Sequence, residues 1–97
     1  MYARVTNVRF PPELEAQVTG VARGLGPIMR RQRGFEGLRV LMIRRNAGEG
    51  IIVSFWGTEA DAEASEAGPS YIGQMSMMSS FLYEPLAPET YEVSVHM

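Results

Sequence analysis

Ninety-seven residues without a shift in composition fit one domain, residues 1–97, near the lower end of ordinary domain sizes. Hydrophobic residues make up 45%, enough for a core and too many for disorder, and a net charge of −2 gives no electrostatic case for binding nucleic acid or an anionic membrane. There is no cysteine, which excludes disulfides and thiolate chemistry; with no leader-like segment and no apolar run near ~20 residues, a cytoplasmic protein is expected.

Residues Tyr2 to Phe10 alternate without a helical stripe and stop at Pro11-Pro12, which cannot extend a ladder, so they predict a first strand. From Glu13 the apolar positions Leu14, Val18, Val21, Ala22, Leu25, Ile28 and Met29 fall at helical spacing. Gly24, Gly26 and Pro27 interrupt that helix and predict a kink or restart, because Pro27 clashes with the carbonyl of Arg23. Arg30, Arg31 and Arg33 fall in its last turn, where cations complement the helix dipole.

Leu38 to Ile43 and Gly50 to Trp56 read as two strands of a hairpin whose tip lies near Asn46–Gly48. Thr58 is placed to cap a helix from Glu59 to about Ala67, with Glu59 and Asp61 in its acidic first turn. Gly68-Pro69 breaks that helix, and Ser70 begins a second piece running to about Leu82. Its buried stripe is Tyr71, Met75, Met78 and Leu82. After Pro85 and Pro88, Tyr91, Val93 and Val95 alternate with Glu92, Ser94 and His96, which predicts a fourth strand.

The order β-α-β-β-α-β predicts an α+β, ferredoxin-like fold: a four-stranded antiparallel sheet with both helices on one face. In the second strand Leu38, Val40 and Met42 point one way, Leu41 and Ile43 the other. In the third, Ile51, Val53 and Phe55 oppose Ile52 and Trp56. Both central strands are apolar on both sides, so both sheet faces require cover. Two helices cover one; a second sheet from a homodimer covers the other.

Gly34-Phe35-Glu36-Gly37-Leu38 opening the second strand, Trp56 closing the third, and Thr58-Glu59-Ala60 opening a helix resemble the antibiotic biosynthesis monooxygenase-like domains of the dimeric α+β barrel superfamily. The resemblance extends over essentially the whole chain. It implies two sheets stacked in a dimeric barrel, and an activity drawn from a family of cofactor-free oxygenases of aromatic polyketides, haem-degrading enzymes, quinol oxygenases and members of unknown role. Asn7 matches the asparagine that haem-degrading members hold beside the ring. Their histidine ligand corresponds to Met75 here, and the asparagine that some quinone-forming members place before the tryptophan corresponds to Ile52. Neither described site is reproduced intact.

Three readings follow. The first is a cofactor-independent monooxygenase acting on a small aromatic or polyketide-type molecule, with no prosthetic group. In it Asn7 donates to a developing oxyanion, Trp56 stacks on or donates to the ring, Tyr71 and Tyr83 add polar contacts, and Met75 and Met78 form an adaptable wall. His96, the only histidine, joins them as a substrate-binding residue whose imidazole suits proton transfer. The second is a non-catalytic ligand-binding or structural dimer in which Trp56, Tyr71, Met75 and Met78 simply fill the space between sheet and helices. The third is haem binding and degradation with Met75 as iron ligand. The Met75–Met78 run makes no soft-metal site without Cys or a second His.

Overall fold

A computed structural model describes all 97 residues. Strand β1 (Tyr2–Arg9) leads through a short 3-10 turn at Pro12–Leu14 into α1 (Glu15–Arg23) and α2 (Leu25–Arg30). Strands β2 (Phe35–Met42) and β3 (Glu49–Trp56) follow, then α3 (Glu59–Ala64), α4 (Pro69–Ser79) and β4 (Glu89–Glu92). The sheet is antiparallel, in the order β2-β3-β1-β4. This is the ferredoxin-like arrangement, with the helices on one face.

The helix break falls at Gly24, between α1 and α2, placing Pro27 in the first turn of a new helix where its missing N–H costs nothing. The carbonyl of Val21, beside the break, accepts a hydrogen bond from Gln74 Nε2 of α4 at 2.8 Å. The β2–β3 hairpin turns at Gly48, whose φ of 93° suits glycine, and its carbonyl accepts the Phe10 N–H at 2.9 Å. Thr58 caps α3, its hydroxyl accepting from the Asp61 amide at 3.0 Å.

Register assigns the two faces. Trp56 pairs with Tyr2, and Ile52 with Thr6 and Val40, so the even-numbered β1 and β3 side chains meet the helices. There Val8, Phe10, Ile52 and Trp56 join Val18, Ala22, Leu25, Met29, Tyr71, Met75 and Met78 in one core. Val5, Val53 and Arg39 are aligned on the outer face, with Asn7 beside Ile51 and Ala3 between Phe55 and Tyr91. At one end of that face the C-terminal Val93, Val95 and His96 lie beside Phe55, Gly37 and Arg39. Val5, Ile51, Val53 and Phe55 supply the apolar outer side read from the alternation.

Several boundaries differ from the sequence expectation: β2 begins at Phe35 rather than Leu38, and α2 ends at Arg30, which leaves Arg31 and Arg33 beyond its last turn. Helix α3 ends at Ala64, where Ser65 turns its hydroxyl back onto the Ala62 carbonyl at 2.6 Å, and α4 stops at Ser79 short of Leu82. The fourth strand lies at Glu89–Glu92 rather than along Tyr91–His96: Glu92 opposes Tyr2, and Val93 N–H to the Met1 carbonyl is the last rung. Alternation marks the faces of an extended segment but not where its partner ends.

Candidate active site

Strand β3 delivers Trp56 to the centre of the core. It is fully buried, its indole N–H donates to Ser54 Oγ at 2.8 Å, and Phe35 meets it edge to face at a centroid distance of 5.4 Å. Met75 and Met78 of α4 are also buried and close the space beside it. These three side chains pack against one another's cluster and leave no hollow among them.

Tyr71, one turn into α4, belongs to the same core on one side and forms the wall of a surface cleft on the other. Burial pushes its phenol pKa well above the ordinary value; the neighbouring Glu66 carboxylate adds to the rise and the Arg4 cation opposes it. Glu66 is itself held from the sheet. Arg4 of β1 grips it with two hydrogen bonds, Nε to Oε2 at 2.8 Å and Nη2 to Oε1 at 2.9 Å, and donates a third from Nη1 to Thr90 of β4 at 2.7 Å. The α3–α4 linker that positions Tyr71 is thus tied to β1 and β4.

The cleft lies between α2 and the start of α4 and encloses about 420 Å³. Pro27 and Ile28 of α2 face Gly68, Pro69, Ser70 and Tyr71, while Arg31 and Gln32 line it from the end of α2. Gln32 is fixed by donating Nε2 to the Ser65 carbonyl at 3.0 Å. Arg31 has no carboxylate partner. The first helical bond of α4 runs from the Ile72 amide to the Gly68 carbonyl at 3.0 Å, so the amides of Ser70 and Tyr71 remain without a protein acceptor at the positive end of the helix. The cleft therefore pairs flat apolar walls with donors suited to an anionic oxygen.

The structure scatters the residues singled out from sequence. Asn7 is exposed on the outer sheet face, in a depression shared with Arg9, Glu84 and Pro85. Side chains alternate along a strand, and five residues separate Asn7 from the β1 position opposite Trp56. The two are consequently on opposite faces and about 17 Å apart along the sheet. They do not share a site within the chain. Tyr83 is exposed and sits under the Arg9 guanidinium, 5.9 Å from it. His96 lies beyond β4, exposed near Phe55 and Glu36. Met75, the position of the haem ligand in the resemblance, is enclosed in the core and does not line the cleft.

Arg31, Gln32 and Ser70 were not singled out as site residues. Arg31 reads from sequence as a helix-end cation, and only the packing of α2 against α4 gives it a cleft to face. The signal available was the Gly68-Pro69 break, which opens α4 with two free amides. No group of three His, Cys, Asp or Glu side chains converges in the fold, and no helix is long and apolar enough to cross a membrane.

The sequence model of the family described as antibiotic biosynthesis monooxygenase matches residues 1–72. A comparison with curated proteins finds no match. Among solved structures the chain is similar to SnoaB, a cofactor-independent oxygenase from Streptomyces nogalater, at TM-score 0.83 and 13% identity over 99% of this chain and 95% of that one. It is similar to Rv0793 from Mycobacterium tuberculosis at TM-score 0.81 and 12% identity, over 98% and 96%. A Nitrosomonas europaea protein of unknown function gives TM-score 0.80 and 17% identity, over 99% and 91%. At these identities the likeness is one of fold.

Proposed function

This chain belongs to the antibiotic biosynthesis monooxygenase family, and we propose that it is a cofactor-independent oxygenase taking a small aromatic or polyketide-type substrate in the cleft between α2 and α4. The observation that carries this reading is the composition of that cleft, which Arg31, without a carboxylate partner, and Ser70 and Tyr71, whose amides open α4, line together with Pro27 and Ile28.

A phenolic or enolic substrate that loses its proton there becomes an electron-rich anion. The positive charge of Arg31 and the partial charge of the α4 amides favour the anion over the neutral form. The anion's ring carbon bonds one atom of dioxygen to give a hydroperoxide. Loss of the remaining proton from that carbon breaks the O–O bond, so the substrate carbon supplies all four electrons. One oxygen atom becomes a carbonyl of the quinone product, and the other leaves as water with the two hydrogens the substrate gives up. Trp56, Met75 and Met78 act as the packed bed on which Tyr71 is fixed. The active form in this reading is a homodimer that covers Val5, Val53 and Phe55 of the outer sheet face with a second copy.

Oxygen uptake on a panel of hydroxyaromatics, including 1,8-dihydroxyanthrone, tests the proposal. Turnover is expected, lowered at least about tenfold by Arg31→Gln, since a charge-assisted hydrogen bond is worth that much. Ile28→Trp, which fills the cleft, is expected to remove it. A second reading, a non-catalytic ligand-binding dimer, is favoured by the solid packing of Trp56, Met75 and Met78. Saturable binding of the panel without oxygen uptake establishes that reading instead.

A further inference from the structure

All nine cationic side chains of this chain are arginines, and three of them, Arg4, Arg9 and Arg44, are engaged by carboxylates. Three of the others, Arg23, Arg30 and Arg39, converge on a single groove of about 360 Å³ on the side of α2 away from the cleft. Arg23 ends α1, Arg30 ends α2, and Arg39 reaches over from β2, the edge strand of the sheet. The floor is Phe35 and Leu38, both half-buried, and Gly26 leaves the α2 wall bare. No acidic side chain lines the groove, in a chain whose acids outnumber its bases. Complementing a helix dipole accounts for Arg23 and Arg30 one at a time. It does not account for Arg39, which comes from a strand and spends only one donor, Nη1 to the Leu38 carbonyl at 2.9 Å.

We propose that this groove is a second ligand site, separate from the cleft, which binds a small organic anion carrying two or three carboxylate or phosphate charges on a flat apolar body. The guanidiniums supply forked donors that match carboxylate or phosphate oxygens in pairs. Phe35 supplies a face for the body of the ligand. Guanidiniums stay charged across the physiological range, so binding follows the ionisation of the ligand and weakens with salt.

Trp56 provides a built-in reporter. It is the only tryptophan, and Phe35 lies between it and the groove with its ring 5.4 Å from the indole. Two probes are titrated into the whole protein by calorimetry, with Trp56 emission followed in parallel: benzene-1,3-dicarboxylate, and inorganic pyrophosphate, which has the charge without the ring. The dicarboxylate is expected to saturate one site, shift the Trp56 emission and bind more tightly than pyrophosphate. Arg30→Gln and Arg39→Gln, both at exposed positions, are each expected to weaken it by about tenfold. Gly26→Leu places a side chain where a Cβ meets no atom, so it fills the groove without strain and is expected to abolish binding. Arg31→Gln, in the cleft, is expected to leave it unchanged, so this proposal and the oxygenase reading fail separately. No saturable heat, affinity indifferent to both Arg30→Gln and Gly26→Leu, or loss on Arg31→Gln overturns the site. Pyrophosphate binding as tightly as the dicarboxylate overturns the role of Phe35.

Discussion

The indole N–H of Trp56 ends on the hydroxyl of Ser54, two residues back on the same strand and the same face, at 2.8 Å with both groups buried. A small polar residue in the middle of an apolar strand thereby satisfies the one polar atom of the largest core side chain. Ser54→Ala leaves that N–H buried without an acceptor and is expected to cost about 2 kcal/mol. Urea unfolding followed by circular dichroism measures it. In a Trp56→Phe background the same change is expected to cost less than about half as much, because no donor is stranded; equal costs in the two backgrounds contradict the pairing.

The amide of Gln74 crosses directly over Gly24 to reach the Val21 carbonyl, and a Cβ at position 24 runs into it. Gly24→Ala is accordingly expected to destabilise by about 1 kcal/mol, although alanine normally stabilises a helical position. Combined with Gln74→Ala, the alanine at 24 is expected to turn neutral or stabilising. Thermal melts of the four proteins in this cycle decide the matter.

Tyr71 sets an alkaline limit on stability. Its phenol pKa is raised in the folded state by burial, so the folded protein keeps the proton while the unfolded chain releases it near pH ~10. The contribution is fully present below that pH and is lost as pH climbs towards the folded value, with a slope approaching ~1.4 kcal/mol per pH unit. Denaturant titrations from pH 8 to 11 are expected to show this fall in the wild type and a flatter profile in Tyr71→Phe. Parallel profiles for the two proteins rule the limit out.

Val53 lies between Val5 and Arg39 at the centre of the outer sheet face. Sedimentation equilibrium at micromolar concentration is expected to find a dimer for the wild type and a monomer of lower melting temperature for Val53→Arg, since an unpaired charge in an apolar interface is not tolerated. A wild-type monomer at that concentration refutes association through this face.

Much of the fold was legible because its signals are local. Pro11-Pro12 stops a strand, Thr58 followed by acidic residues starts a helix, and Gly48 makes a tight turn wherever it sits. The alternation in β3 likewise declares two apolar faces without reference to any partner. The length of β4 was not legible, because its apolar alternation continues past the last rung at Val93. The β2 start is subtler: Phe35 pairs with Trp56 while Gly37 pairs with Phe55, so Glu36 is an extra residue in the ladder. Read without that bulge, Phe35 belongs on the outer face with Arg39; with it, Phe35 turns inward onto Trp56.

The candidate site divides in the same way. That Tyr71, Met75 and Met78 share one stripe follows from 3.6 residues per turn, and the sequence alone determined it. Whether two strand residues meet depends on register, and register separated Asn7 from Trp56. Whether an arginine at a helix end faces water, a cleft or a groove depends on what packs beside that helix. The fold class, the caps and the two-sided sheet came from short-range chemistry within the chain. The grouping of Arg31 with Tyr71, and of Arg30 with Arg39, was decided only in three dimensions, because the contacts that create each hollow join segments distant in sequence.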